Sequence, residues 1–205
     1  MQMVRGCVDN SVSLAIVILA AGASSRMRGR DKLFELVEDT PILTRLAILS
    51  QGFGDVYVTL PNPDHPRNEL LNDTFATPVY VPDAAEGMSA SIKRACKAIS
   101  QTPATGMMIL TGDLPGLKHT HFEQMCAFWA INQTHYVQAK DYNQTPGHPV
   151  IIPKSGWADI DTLHGDIGLR NILREKRIKY VSFNDDAPTL DLDTPEAWAS
   201  WRARR

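Results

Sequence analysis

The fold class is decided by one stretch near the start of the chain, Leu14-Ala15-Ile16-Val17-Ile18-Leu19-Ala20-Ala21-Gly22. Its first six residues are all aliphatic and lack the polar alternation of a strand that has one face in water. Such a run is typical of a strand that is buried on both faces of a parallel sheet. The stretch therefore predicts a first strand over residues 14–19, followed by a loop that begins with small residues.

Six further apolar runs recur along the chain, and each is too short to be a typical helix. They lie at residues 56–60, 78–81, 107–111, 136–139, 150–152 and 180–183. Between or after them, five segments have the apolar spacing of a helix. These segments are residues 41–49, 88–99, 122–129, 167–173 and 195–201. Strands that alternate with helices indicate βαβ units and a mainly parallel sheet.

The predicted fold class is therefore α/β, a single Rossmann-like three-layer α/β/α domain over residues 13–205 with a mainly parallel central sheet. Residues 1–12 follow neither period, and we expect them to form a flexible lead-in. The chain has 205 residues, of which 43% are hydrophobic and 21% are charged. This composition excludes disordered, collagen-like and coiled-coil proteins.

Charge and cysteine content narrow the set of partners. A formal net charge of -2 gives no reason to expect nucleic acid or a membrane surface as a partner. The three cysteines, Cys7, Cys96 and Cys126, lack the spacing of a zinc site and suit a reducing compartment. We therefore expect a cytoplasmic protein that binds neither nucleic acid nor membrane.

The loop after the first strand has the composition of a polyphosphate-binding loop. Ligands of parallel sheets bind beyond the carboxyl ends of the strands, where this loop begins. Small residues let its backbone approach an anion, and Arg26 and Lys32 add positive charge. The loop contains neither a Walker A motif nor a dinucleotide fingerprint. The alternative interpretation is a solvated basic turn.

Asp113 is the strongest candidate for a metal ligand. It follows the apolar run 107–111 within Thr-Gly-Asp-Leu-Pro, which places a carboxylate at the carboxyl end of a strand. A hard oxygen ligand at that position suits Mg²⁺ held together with substrate phosphates. The alternative for Asp113 is a residue that caps a turn.

Asp191 and Asp193 are candidates for a second carboxylate ligand, because alternate residues of an extended strand share one face. One of them could instead cap the helix that begins at Pro195, a role for which Thr194 competes.

Five segments in this order resemble the motifs of the MobA-like nucleotidyltransferases. They are LAAGASSRM at 19–27 with Lys32 beyond it, EGMSASI at 86–92, GDLP at 112–115, GHPV at 147–150 and DLDTPE at 191–196. Together the motifs extend over residues 14–200, which makes accidental agreement of all five a poor explanation. The resemblance implies the fold of the nucleotide-diphospho-sugar transferases, a nucleoside triphosphate as substrate and Mg²⁺ as cofactor.

The resemblance also implies roles for individual residues. Nucleotide binding is expected from Leu19, Ala20, Ala21, Gly22, Ser24, Arg26, Lys32, Gly87, Met88, Ser89 and Ser91. The catalytic set is Arg26, Lys32 and Asp113, and the metal set is Asp113, Asp191 and Asp193. Acceptor binding is expected from His148, Asp166 and Arg170. Taken alone, His148 would be a surface histidine in a tight turn, and Asp166 a helix start.

Within the family, the motifs are most similar to those of molybdenum cofactor cytidylyltransferases. That branch transfers CMP from CTP to the phosphate of molybdopterin or the molybdenum cofactor and releases pyrophosphate, and a molybdoenzyme or its chaperone would receive the product. Two features depart from it: the pair Asp31-Lys32 is more typical of the guanylyltransferase branch, and Arg28 stands where glycine is usual. The alternatives are therefore transfer from GTP, another small phosphorylated acceptor, or a non-catalytic nucleotide-binding or cofactor-carrier protein.

Overall fold

A seven-stranded sheet forms the centre of the protein, whose computed structural model describes residues 13–165 and 168–204. The strands in chain order are β1 (Leu14–Leu19), β2 (Leu36–Val37), β3 (Thr40–Pro41), β4 (Asp55–Leu60), β5 (Thr77–Tyr80), β6 (Gly106–Thr111), β7 (Tyr136–Lys140), β8 (Pro146–Pro153) and β9 (Ile178–Ser182). Their order across the sheet is β5-β4-β1-β6-β8-β7-β9, and β2 and β3 form a separate antiparallel pair. The predicted lead-in over residues 1–12 lies outside the described residues, as does Asp166.

Neighbouring strands are parallel except at β8, which is antiparallel to both β6 and β7. This arrangement confirms the predicted mainly parallel sheet. Each of the seven apolar runs overlaps one strand of the sheet. The run at 150–152 is only the buried end of β8, which begins at Pro146.

Helices cover both faces of the sheet, which confirms the three layers. In the described part of the chain the α-helices are α1 (Ile42–Ser50), α2 (Met88–Ile99), α3 (His119–Ala130), α4 (Arg170–Glu175) and α5 (Pro195–Arg202). One core joins α1, α3 and α5 to the sheet, and the other joins α2, α4 and the 3-10 helix Lys154–Thr162. None of the helices within these residues is long and apolar enough to cross a membrane.

The burial of β1 explains why its sequence is aliphatic throughout. Successive side chains of a strand point to opposite faces, so the six residues divide between the two cores. Those packed with α1 and α3 are Leu14, Ile16 and Ile18, and those packed with α2 are Ala15, Val17 and Leu19. Since both faces are covered, a polar residue at any of these positions would be buried without a partner.

The register of the central strands places two loops side by side. Leu19 at the end of β1 pairs with Thr111 at the end of β6, and the Gly112 amide donates a hydrogen bond to the Leu19 carbonyl at 2.9 Å. The loop after β1 and the turn that contains Asp113 therefore leave the sheet together. The carboxyl edge of the sheet is where the predicted site residues meet.

Candidate active site

The loop after β1 borders a cavity of about 490 Å³. Most residues that the sequence assigns to nucleotide binding line it, namely Leu19, Ala20, Ala21, Gly22, Ser24, Arg26, Lys32, Gly87, Met88 and Ser91. Ser89 is buried and lies beside a separate, smaller cavity, because it projects from α2 in a different direction from Met88. Gly87 precedes α2 with a φ of 103°, a backbone conformation that glycine adopts readily.

Lys32 lies at the centre of the site because its ammonium group contacts three carboxylates. The Nζ atom forms an ion pair with Asp113, and it lies 2.6 Å from Oδ1 of Asp193 and 3.5 Å from Oδ1 of Asp191. Burial alone would lower the pKa of this ammonium, but the three aspartates raise the pKa above its ordinary value. Lys32 therefore keeps its positive charge at neutral pH.

Asp113 is the buried carboxylate of the cluster. It is only 7% exposed, and its pKa lies below the ordinary value because the Lys32 ammonium outweighs the opposing effect of burial. One oxygen pairs with Lys32, whereas Oδ1 is buried and has no hydrogen-bond partner among the described residues. A buried polar atom without a partner is uncommon and calls for an explanation.

The three aspartates fit a divalent cation. Asp113, Asp191 and Asp193 each offer one oxygen, and these oxygens all lie within 4.8 Å of one another. Burial and the neighbouring Asp113 charge raise the pKa of Asp191 to about 6. A bound cation would stabilise the ionised carboxylates and give the buried Oδ1 of Asp113 a partner. Carboxylate oxygens are also the ligands that Mg²⁺ and Mn²⁺ prefer.

The cap of α5 is Thr194, so the suggestion that Asp191 or Asp193 caps this helix is wrong. The Thr194 hydroxyl accepts a hydrogen bond from the Ala197 amide at 3.2 Å. Neither aspartate is needed at the helix end, and both turn their carboxylates toward Lys32.

Two arginines of the loop have different surroundings. Arg26 forms an ion pair with Asp193 and lines the cavity, although most of its side chain is exposed. Arg28 is paired with Glu196 at 2.9 Å on the surface and does not line the cavity. The arginine at the position where the family usually has glycine therefore leaves the cavity open.

Arg67 is the residue of the site that sequence reasoning missed. It lies in the 3-10 helix Pro66–Leu71, is 2% exposed, lines the first cavity and contacts the nucleotide loop. Its guanidinium pairs with Asp31 at 2.6 Å and also donates to the backbone of the loop. The preceding proline-rich and asparagine-rich sequence is typical of a surface loop, and no local pattern indicates a buried arginine.

A second cavity of about 580 Å³ adjoins the first, since Leu19 and Met88 line both. His148 and Arg170, two of the three residues expected at the acceptor, line this second cavity. Arg174, one helical turn beyond Arg170 on α4, also lines it. The first cavity is thus lined by Asp113 and Asp193, and the second is lined by two arginines and a histidine.

His148 lies in strand β8, so the expectation of a tight turn is wrong. The segment around it contains glycine and prolines, but the chain there stays extended alongside β7 and residues 188–189. The His148 Nδ1 atom lies 3.3 Å from the Ile109 carbonyl oxygen. Burial lowers the pKa of the imidazole below its ordinary value. Because a carbonyl only accepts hydrogen bonds, the proton of the neutral ring belongs on Nδ1.

A larger and more open depression, of about 1000 Å³, lies between the β2–β3 pair and the end of α5. None of the site residues expected from the sequence lines it. Apart from Ser89, the expected site residues that line a cavity lie in the cavities of about 490 and 580 Å³.

Comparison with known proteins agrees with this geometry. The sequence matches the MobA-like NTP transferase domain over residues 16–181, which is most of the chain. The chain belongs to this family. Membership makes it a nucleotidyltransferase.

Individual relatives extend the comparison. The chain is 26% identical to the molybdenum cofactor cytidylyltransferase of Escherichia coli (strain K12), and the alignment covers 92% of this chain and 95% of that protein. Among solved structures, Rv0371c from Mycobacterium tuberculosis H37Rv has a TM-score of 0.79 at 21% identity, covering 93% of this chain and 98% of the other. Its complex with manganese has a TM-score of 0.73 at 20% identity, covering 92% and 97%. These structures share the nucleotide-diphospho-sugar transferase fold with this member of the MobA-like family.

Proposed function

We propose that this protein transfers CMP from CTP to the phosphate of molybdopterin or the molybdenum cofactor, with Mg²⁺ as cofactor and pyrophosphate as the second product. The observation that carries the proposal is the pair of adjoining cavities that share Leu19 and Met88. A transfer between two substrates needs both of them bound side by side with the reacting atoms in contact. The first cavity suits the triphosphate and the second suits the acceptor.

The proposed reaction is a direct displacement. An oxygen of the acceptor phosphate forms a bond to the α-phosphorus of CTP. The bond from the α-phosphorus to the oxygen that bridges to the β-phosphate breaks, and pyrophosphate leaves with that oxygen and its electron pair. No covalent enzyme intermediate is needed, so positioning and charge neutralisation provide the catalysis.

The side chains have distinct parts in this reaction. Arg26 and Lys32 hold the triphosphate and neutralise its charge, since both line the cavity beside the nucleotide loop. Asp113, Asp191 and Asp193 hold the Mg²⁺, which supplies Lewis-acid stabilisation of the phosphate charge when bound.

The acceptor phosphate is assigned to the second cavity because its lining carries positive charge. Arg170 and Arg174 lie there on α4, and guanidinium groups bind phosphate through paired hydrogen bonds. Gln138 and Tyr180 add polar groups to a lining that is otherwise mostly aliphatic. A flat heterocycle with a phosphate on one side has this combination of apolar and anionic surface.

CTP is preferred over GTP in this proposal because the cytidylyltransferase of Escherichia coli aligns over almost the whole chain. The pair Asp31-Lys32 suggested GTP, but the Asp31 carboxylate accepts hydrogen bonds from Arg67 and from the Leu33 amide. Asp31 thus has a structural use within the loop that does not depend on the base. The proposed compartment is the cytoplasm, where the free thiols of Cys96 and Cys126 stay reduced.

The test is calorimetric titration of the purified protein with CTP, GTP, ATP and UTP in the presence of Mg²⁺, repeated on Asp113→Asn. We expect selective binding of CTP that the substitution weakens. Addition of molybdopterin to the CTP complex should then release pyrophosphate. Selective binding of GTP would assign the protein to guanylyl transfer, and turnover only with another phosphorylated acceptor would overturn the assignment of molybdopterin.

A non-catalytic carrier is the contrasting outcome. Binding of molybdopterin without any pyrophosphate release from any triphosphate would identify a carrier, despite the assembled Lys32 and Asp113. Absence of triphosphate binding at millimolar concentration would overturn the nucleotide assignment of the first cavity.

A further inference from the structure

Arg67 uses its entire guanidinium group to hold one side of the nucleotide loop. The Nη1 atom donates hydrogen bonds to the carbonyl oxygens of Ala20 at 2.5 Å and Gly22 at 2.7 Å. The Nε and Nη2 atoms donate to Asp31 at 2.6 and 2.9 Å, and Nη2 also donates to the Ser24 hydroxyl at 3.1 Å. One buried side chain therefore ties together residues at the start and at the end of the loop.

These contacts fix the direction of the loop's amide groups. In a trans peptide the carbonyl of one residue and the N–H of the next point in opposite directions. Since Arg67 holds the Ala20 and Gly22 carbonyls, the N–H groups of Ala21 and Ala23 point away from the guanidinium. Both residues line the first cavity, which Arg67 lines as well, and no hydrogen bond joins either N–H group to another of the described residues. Two free donors on one loop form a binding site for an anionic oxygen.

We propose that Arg67 is a positioning residue for the polyphosphate chain of the nucleotide, because it holds the Ala21 and Ala23 amides toward the phosphates. The inference deepens the proposed function and rests on it. Arg67 acts through the backbone of the loop, and the groups that touch the phosphates are the amides.

The type of side chain matters as much as its charge. Arginine offers five donor hydrogens in a rigid plane, whereas lysine offers a single ammonium nitrogen on a flexible stem. Only the planar fork can satisfy two carbonyls, one carboxylate and one hydroxyl from a single buried position. Asp31 also caps the short helix Lys32–Phe34, because its carboxylate accepts a hydrogen bond from the Leu33 amide at 3.1 Å. The Arg67–Asp31 pair therefore also sets the position of Lys32 at the start of this helix.

The experiment compares the affinity for CTP with the affinity for cytidine in the wild-type protein, Arg67→Met and Arg67→Lys. Affinities come from calorimetry for CTP and from competition for cytidine, and thermal unfolding is measured in parallel. We expect Arg67→Met to weaken CTP binding at least tenfold more than cytidine binding. The CTP affinity of Arg67→Lys should lie between those of the wild type and Arg67→Met. Millimolar guanidinium should restore part of the CTP affinity of Arg67→Met.

Asp31→Asn and Arg45→Met complete the set. Asp31→Asn weakens the Arg67–Asp31 ion pair at its less buried residue and should also lower the ratio of CTP affinity to cytidine affinity. This variant still tests the inference if Arg67→Met does not fold. Arg45 donates to the Leu117 carbonyl at 2.8 Å and does not line the cavity, so Arg45→Met is the matched control whose ratio should equal the wild-type ratio.

The experiment distinguishes a failure of the proposed function from a failure of the inference about Arg67. A wild-type protein that binds no CTP overturns the proposed function together with this inference. A wild-type protein that binds CTP, with an unchanged ratio in Arg67→Met, Arg67→Lys and Asp31→Asn, overturns the inference alone. Equal losses for CTP and cytidine, in step with a lower unfolding temperature, would show that Arg67 only supports the fold.

Discussion

The ammonium nitrogen of Lys32 lies 2.6 Å from Oδ1 of Asp193, although 161 positions separate the two residues in the sequence. The contact joins the loop after the first strand to the segment before the last helix. The same ammonium also pairs with Asp113 after β6. Three distant segments of the chain therefore meet at the Lys32 ammonium. This ammonium pairs with the same carboxylates that would bind a metal ion.

Removal of the Lys32 ammonium should increase the affinity of the nucleotide-free protein for divalent metal. In Lys32→Met the three aspartates lose their competing cation, so we expect Mn²⁺ to bind about tenfold more tightly, equivalent to about 1.4 kcal/mol. Mn²⁺ titration followed by electron paramagnetic resonance measures this directly. Lys176→Met is the control, because Lys176 pairs with Asp159 at 2.7 Å away from the site. Equal Mn²⁺ affinity in Lys32→Met and the wild type would contradict competition at these carboxylates.

Asp113→Asn should abolish most of the activity while the protein stays folded. The substitution keeps the size of the side chain and leaves Lys32 paired with Asp193 at 2.6 Å. Loss of one group that stabilises charge in the reaction typically lowers the rate by about 100-fold or more. We expect a loss of this size in pyrophosphate release, together with loss of the Mg²⁺-dependent part of CTP binding. Asp64→Asn changes an exposed aspartate and should behave as wild type.

An Asp113→Asn protein with near wild-type turnover would remove this residue from the metal site. Circular dichroism and thermal unfolding of both variants separate a catalytic effect from a loss of fold.

The sequence predicts those parts of the fold and site that depend on local patterns. The aliphatic run of β1 predicts a strand because both faces of that strand are buried. The position of Asp113 just after a strand is predicted because β6 is an apolar run of the same kind. The direction of β8 could not be predicted, since an apolar run looks the same in a parallel and an antiparallel strand.

Long-range contacts account for what the sequence did not reveal. Arg67 becomes part of the site through partners that lie 36 to 47 residues away, and no periodic signal marks a buried guanidinium in a proline-rich stretch. The position of His148 in a strand depends on pairing with β7, whereas its own neighbours are typical of turns. Such features are decided by packing between elements.

Gly147→Ala should destabilise the protein, because the chain approaches this glycine closely. A Cβ atom at position 147 would lie 2.1 Å from the Pro188 carbonyl oxygen, and backbone atoms cannot move aside without shifting the strand that carries His148. Overpacking of this kind costs about 1–3 kcal/mol. Gly52→Ala is the matched control, since no atom lies within 4 Å of its added Cβ. Urea unfolding of both variants measures the difference in their unfolding free energies. Equal midpoints would show that β8 can shift enough to accommodate the added methyl group.

The stability of the protein should depend on pH through His148. Burial lowers the pKa of this imidazole below its ordinary value of 6.5, and the Ile109 carbonyl keeps the ring proton on Nδ1. Below pH 6.5 the unfolded chain binds a proton that the folded protein does not, so the stabilisation present above pH 6.5 is lost as the pH falls. The wild type should therefore lose more unfolding free energy than His148→Gln between about pH 7.5 and 5.5. Parallel slopes for the wild type and His148→Gln would mean that burial does not lower the pKa of His148.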